Sequence, residues 1–361
     1  MMFRRSTALF LGAVSAVTLV ACGGGGDDES TETSAATTVA STTSTSTTDA
    51  PTTTVEATTT TPVPAPLAPL TGLPVTDELI LARPALAVKM DNHPDARPHA
   101  GLNQADIVYE EIVEGITRFF VVFHSTDAAP IGPIRSARTT DVDLLNQLNR
   151  PLFVWSGGNR GVVNAIGNAN AESRAHGQAP GFYRDDERRR RTAIEHTLMN
   201  EGTQVVYSTV AFGQSPPSPF FEYRDADADV AGDPVGTISM KLNSVPVTWQ
   251  WDEAQGLYVR SEYNEPHVDT TGAPISAENI VIQFCDYKTS AADPGSPEAV
   301  TVGSGDVWVF SGGKLVQGRW DRPDASKPAV LTDAVGATIQ LTPGRTWIEL
   351  AEAGDTEVTI G

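Results

Sequence analysis

Two groups of residues in this chain carry side chains able to do chemistry or to hold a charged ligand. Asp91-Asn92-His93 follows directly on the apolar run Ala85 to Met90, and Glu110-Glu111 lies within Asp106-Ile-Val-Tyr-Glu-Glu-Ile-Val113. A polar triplet leaving a buried strand is well placed to touch a ligand. His93 suits general acid–base work, and with Asp91 and Glu110 it makes a carboxylate–imidazole set of the kind that binds metals. The plainer reading is that Asn92 and His93 satisfy turn backbone groups while one Glu points to solvent. Strand alternation places Glu110 and Glu111 on opposite faces, so at most one is expected to face inward.

The second group is Arg118, near the start of a very apolar strand, and Arg135-Ser136-Ala137-Arg138, between Gly132-Pro133 and a helix. A guanidinium in an apolar strand is expensive unless paired. A loop feeding a helix N-terminus already favours anions, and two arginines there strengthen that. This block therefore reads either as a pocket for a carboxylate or phosphate, or as internal ion pairing with Glu110, Glu114, Asp141 or Asp143.

Other polar features carry less. Arg188 to Arg191 stands directly after Asp185-Asp-Glu187 and is expected to be a solvated loop. His176, His196 and His267 are isolated in sequence and expected to be structural. The chain holds no His-Glu-x-x-His, no Gly-x-Ser-x-Gly and no phosphate loop ending in Lys-Ser/Thr. Ser311-Gly-Gly-Lys314 fits Ser-x-x-Lys, but it spans a Gly-Gly turn rather than opening a helix. No cofactor and no metal is expected.

Around these residues stands a layout of four parts. Residues 1–21 have a basic start (Arg4, Arg5) and an uncharged apolar run from Ala8 to Val20, the pattern of a secretory signal. Leu19-Val-Ala-Cys22 resembles a bacterial lipobox, with Cys22 as the lipidated residue and the chain held on the extracytoplasmic face of the membrane. Residues 22–69 follow as a tether: 21 of the 32 residues from Ser30 to Thr61 are Ser or Thr, which leaves nothing to bury and predicts disorder. A lipid on Cys22 leaves Cys285 without a partner in the chain, which excludes an intrachain disulfide and a thiolate metal site. Cys285 is expected to be a small buried hydrophobe. The formal net charge is −20, and a strongly acidic exported chain is a poor match for nucleic acid. The excess is uneven: residues 83–200 hold 14 acids and 14 bases, so any anion-binding patch has to sit there.

The folded part is expected to be α+β, as two lobes or one large mixed domain. In residues 70–215, the runs 85–90, 106–113, 116–124 and 152–155 are rich in β-branched and aromatic residues and predict strands. Thr140 to Leu148 has helical spacing with Thr139 or Thr140 as N-cap, and Asn159 to Ile166 and Ala193 to Asn200 predict short helices. Residues 236–361 look mostly antiparallel β, with hairpins at Asp252–Gly256 and Gly312-Gly313 and a third turn at Pro343-Gly344 between 337–341 and 346–350. The best boundary lies near 214–219 and 225–234.

Arg83-Pro84, Val88, Asp91-Asn-His93, Ala96-Arg-Pro98, Gly101-Leu102, Ala105 to Glu110, Gly115 to Phe119 and Ile131 to Arg138 occur in a fixed order. With Phe182 to Asp185, Asn279 to Gln283, Gly313-Lys314 to Trp320 and Gly344 to Ile348, they resemble the YerB-like lipoproteins, a family filed as a domain of unknown function. The resemblance covers about residues 70–352, with Arg135 to Arg138 its most specific part. It implies a two-part α+β protein on the outer face of a Gram-positive-type membrane, and it brings no reaction. One departure is His196-Thr-Leu198, where relatives have His-Asn-Leu.

The favoured reading is a non-enzymatic envelope lipoprotein that binds an anionic ligand or a protein partner through Asp91, Asn92, His93, Glu110, Arg118, Arg135, Ser136 and Arg138. The rival is a cell-wall hydrolase or transferase using Glu110 as acid or base with His93 nearby. A third reading is a scaffold for envelope assembly proteins, which requires an exposed apolar patch.

Overall fold

The computed structural model describes residues 65–211, 214–225 and 228–361; the signal segment, Cys22 and most of the tether lie outside them. The described elements that matter for the site are β1 (Leu86–Asp91), β2 (Ile107–Ile112), β3 (Thr117–Phe123), α1 (Thr140–Asn146), β4 (Leu152–Trp155), α2 (Arg160–Gly167), β5 (Glu172–Ala175), β6 (Phe182–Arg184) and β7 (Leu198–Asn200). The second half adds β8 (Thr237–Leu242), β9 (Val245–Asp252), β10 (Leu257–Glu262), β11 (Asn279–Cys285), β12 (Gly303–Ser311), β13 (Lys314–Arg322), β14 (Val330–Asp333), β15 (Thr346–Glu352) and β16 (Val358–Ile360). The class is α+β, as expected.

Strands from both halves share one sheet. Its order among the described residues is β14-β13-β12-β11-β15-β2-β3-β1-β4-β5. The join is β15, which runs parallel to β2 on one side and parallel to β11 on the other. β8, β9, β10 and β16 form a second, antiparallel sheet.

Every residue of β1, β2 and β3 is buried, because both faces of the large sheet are covered. On one face Val88, Met90, Val108, Phe119 and Val121 pack with Met240, Trp249 and Tyr258 of the second sheet. On the other, Ala87, Ile107, Tyr109, Phe120 and Val122 pack with Leu144, Leu145 and Val162 of the helical layer. A near-continuous apolar run is what a strand covered on both sides requires. Glu110 and Glu111 do point to opposite faces, but both faces lie inside, so the expectation that only one Glu faces inward is corrected.

Local details follow the chemistry of the ends. Asn159 caps α2 by accepting from the Val162 amide at 2.9 Å. Thr139 stands at the start of α1 without a capping bond, and its hydroxyl instead donates to Ser290 Oγ. The expected helix over 193–200 is a 3-10 turn, Ile194–His196, followed by β7, which pairs with β6. Leu198 and Met199 are buried in that pairing, and a segment this short gains more from a ladder than from one helical turn. The Gly312-Gly313 hairpin forms with both glycines at positive φ, as a two-residue turn between twisted strands demands. The Pro343-Gly344 turn forms no hairpin. Arg345 is tied to the Glu278 carboxylate by its amide (2.7 Å) and to the Asn103 carbonyl (3.0 Å), which steers β15 into the middle of the large sheet.

Candidate functional site

The candidate residues divide between the two faces of the large sheet. On the helical face, Asp91 at the end of β1 stands opposite Arg118 on β3, and Arg118 stands opposite Glu111 on β2. The segment 134–138 crosses this edge: the Arg135 amide donates to the Lys89 carbonyl, and the Ser156 amide, just past β4, donates to the Arg135 carbonyl. Asp91, His93, Arg118, Arg135, Ser136 and Arg138 are thereby gathered at one end of β1, β3 and β4.

The three arginines have unequal partners. Arg138 makes a two-pronged ion pair with Glu114, both contacts at 2.7 Å. Burial raises the Glu114 carboxyl, but the Arg138 hydrogen bonds and charge outweigh it and hold the group down at about 2. Arg135 lies with Nε 3.1 Å from Asp91 Oδ2. Arg118 donates from Nη1 to the Ser136 carbonyl (2.9 Å) and approaches Glu114 only to 3.9 Å. Its buried Nε has no partner among the described residues. Burial first, then the charges of Arg138 and Arg135, lower the Arg118 guanidinium to about 10. Beneath it, Lys89 is enclosed between Glu111 and Asp141 (2.8 Å to the latter).

Asp91 anchors a second constellation. Its Oδ2 accepts from His196 Nδ1 at 2.7 Å, and its Oδ1 accepts from the His93 amide at 3.1 Å. Burial pushes the Asp91 carboxyl up, but the His196 bond, the Arg135 charge and the His93 amide leave it below its ordinary value. His93 and His196 stack face to face, with ring centroids 4.4 Å apart. His196 was expected to be an isolated structural histidine, and it is the partner that completes this group. Beside it, buried Thr197 donates to the Ile194 carbonyl of its own turn. In the run 188–191, Arg189, Arg190 and Arg191 are exposed, and only Arg188 departs from a solvated run. Arg188 is buried and donates to the Ala96 (2.7 Å) and Pro98 carbonyls, clamping the 94–98 segment that carries Asp95.

Asn92 and Glu110 turn to the opposite face and join a buried network that sequence reading missed. Glu110 accepts from Arg260 (2.6 Å) and from the Thr117 hydroxyl (2.6 Å), and Asn92 donates to Thr117 and Glu262. Arg260 also reaches Glu262 (2.5 Å), and Glu349 accepts from Trp249 (2.8 Å). Burial raises Glu110 and raises Glu349 well above the ordinary carboxyl range, while the surrounding carboxylates overcome burial and raise Arg260. Arg260 further donates to His267 Nδ1 (2.7 Å), His267 bonds His99 (2.9 Å), and His99 bonds the Asp91 carbonyl (2.6 Å). One pair of tautomers satisfies every bond: each imidazole accepts at Nδ1 and donates from Nε2. Both rings are neutral, since burial lowers His99 to about 3 and His267 well below its ordinary value. With Glu110 fully enclosed and its oxygens engaged, it is closed to a substrate and does not meet His93.

Family models match both halves of the chain. Residues 70–210 match the "Protein of unknown function (DUF3048) N-terminal domain", and residues 237–348 match the corresponding C-terminal domain. The chain belongs to the DUF3048 family. A relative within reach is "Putative lipoprotein YerB" of Bacillus subtilis (strain 168), 29% identical over 294 residues, or 78% of this chain and 85% of that protein. The crystal structure of the YerB protein from Bacillus subtilis superposes with a TM-score of 0.70 at 25% identity, covering 81% of this chain and 99% of that one. The two matched segments of the DUF3048 family take in most of the large sheet and of the second sheet. None of the described helices is long and apolar enough to cross a membrane.

Proposed function

We propose that this protein is a lipid-anchored envelope protein, attached through Cys22 on the extracytoplasmic face, whose folded part binds an oxyanion at Arg118, Arg135 and Ser136. The basic start, apolar run and Leu-Val-Ala-Cys22 ending support the anchor, as does the name of the YerB relative. The ligand class is a carboxylate or phosphate carried by an envelope molecule.

The observation that carries the binding reading is Arg118. Its guanidinium is buried, one donor is unpartnered, and two neighbouring guanidinia press on it while Glu114 is consumed by Arg138. A buried donor left unmade costs about 1–3 kcal/mol, and an oxyanion set beside the Arg118 and Arg135 guanidinia would offset their mutual repulsion with charge-assisted hydrogen bonds. Arg138 is the positioning member of the block, since both its prongs already hold Glu114.

Thermal melting of the full chain with added inorganic phosphate or acetate tests this. A ligand that binds only the folded state raises Tm by mass action. The rise is expected in the wild type and expected to vanish in Arg135→Ala and Arg118→Lys. Equal rises in all three proteins, or no rise in any, would leave the block purely structural.

A further inference from the structure

The geometry points to a divalent transition-metal site formed by His93, Asp95 and His196, with Asp91 behind it; none of the three arginines is among its ligands. The three residues offer one ligand atom each, and those atoms all lie within 4.8 Å of one another. The donor set, two imidazoles and a carboxylate, suits zinc and its neighbours, and three protein ligands leave a position open to water or a substrate.

Each ligand is placed by a separate device. Asp91 holds His196 Nδ1 at 2.7 Å, which leaves Nε2 as the nitrogen for an ion. A buried carboxylate on the far nitrogen of a metal-binding histidine fixes the tautomer and strengthens the ligand. Asp91 is suited to that task because it is 1% exposed and already bonded to His196 Nδ1 and the His93 amide. His93 Nδ1 lies 3.8 Å from Asp95 Oδ2, a spacing that two ligands bound at about 2.0–2.2 Å to one ion can span. Nδ1 is presently engaged only by the Asp95 amide at 3.2 Å, a long bond that an ion would replace. Arg188, through the Ala96 and Pro98 carbonyls, pins the short loop carrying Asp95. His93 and Asp95 have side chains 38% and 58% exposed, so the site opens to solvent while His196 forms its floor.

The test is titration of the full chain, with Cys22→Ser in every sample to remove a competing thiol, using Zn2+ by calorimetry and Co2+ by visible absorption. One equivalent is expected to bind, and the Co2+ spectrum is expected to show the intense bands of a low-coordinate nitrogen and oxygen site. His93→Ala and Asp95→Asn, both on the exposed side, are expected to weaken binding by at least about tenfold, and Asp91→Asn by about 10–100-fold, with circular dichroism checking that each variant is folded. Absence of stoichiometric Zn2+ binding by the Cys22→Ser chain, or affinity equal to that chain in His93→Ala and Asp95→Asn, would overturn the site. The phosphate response is read separately, so loss of one leaves the other standing.

Discussion

Arg260 of the second sheet reaches 2.6 Å from Glu110 of the large sheet, with both side chains completely enclosed. That ion pair stitches residues 150 positions apart, and it does so among three carboxylates, since Glu262 and Glu349 share the same space.

Loss of the cation and loss of one anion should therefore have unequal effects. Arg260→Met leaves buried carboxylates without a counter-charge and is expected to cost about 3–5 kcal/mol in denaturant unfolding. The loss should deepen as pH rises, because the folded state then prefers protonated carboxyls. Glu349→Gln keeps an acceptor for Trp249 and replaces a carboxyl that burial already drives toward its neutral form, so it is expected to stay within about 1 kcal/mol of wild type. Similar costs for both variants would contradict the charge balance described.

Arg138 and Glu114 make a partly exposed pair, where solvent screening limits the gain. Arg138→Ala is expected to cost no more than about 1 kcal/mol. Its clear signature lies in the Glu114 carboxyl, which should move up from about 2 toward the usual glutamate range, followed by carboxyl carbon NMR.

Two buried histidines make the fold sensitive to acid. His99 and His124 are lowered by burial to about 3 and about 4 from an ordinary 6.5. A depressed folded value means the neutral ring favours folding: the contribution is complete above pH 6.5 and is lost as pH falls through 4 and 3. Asp106 works in the opposite direction. Burial raises it to about 6 from 3.8, so its contribution is present below 3.8 and lost as pH rises through 6. Asp106→Asn should therefore steepen the acid loss of stability between pH 6 and 4. Imidazole nitrogen NMR at pH 5 should show both rings neutral, and protonated rings there would refute their burial.

Cys285 is free, buried and pushed up to about 12 mainly by burial. Peptide mass analysis after iodoacetamide treatment is expected to find Cys285 unmodified in the native protein and alkylated in denaturant. Rapid native alkylation would show that β11 opens locally.

Much of the local structure was legible because it rests on local chemistry. The strand β1, the helix after Asn159, the hairpin at Gly312-Gly313 and the burial of Cys285 follow from side-chain type and turn residues over short windows. The arginine block was also legible, since Arg135, Ser136 and Arg138 are near neighbours and Arg118 stands out in an apolar strand. The expectation at 193–200 failed because β6 supplies a ladder partner that no short window contains. Glu110 and Glu111 were read as half-exposed because alternation reports which face a residue takes, and not whether that face is covered.

What the sequence by itself determined is the α+β class and the charge balance of the segment that holds the candidate residues, with the lipobox at Cys22 as an expectation. Only the tertiary structure decided that β15 joins the two halves in one sheet, that Arg260 answers Glu110, and that His196 meets Asp91 and His93. These contacts link residues more than 100 positions apart, and such pairings are set by packing and register across the whole sheet, which leave no periodicity in the chain.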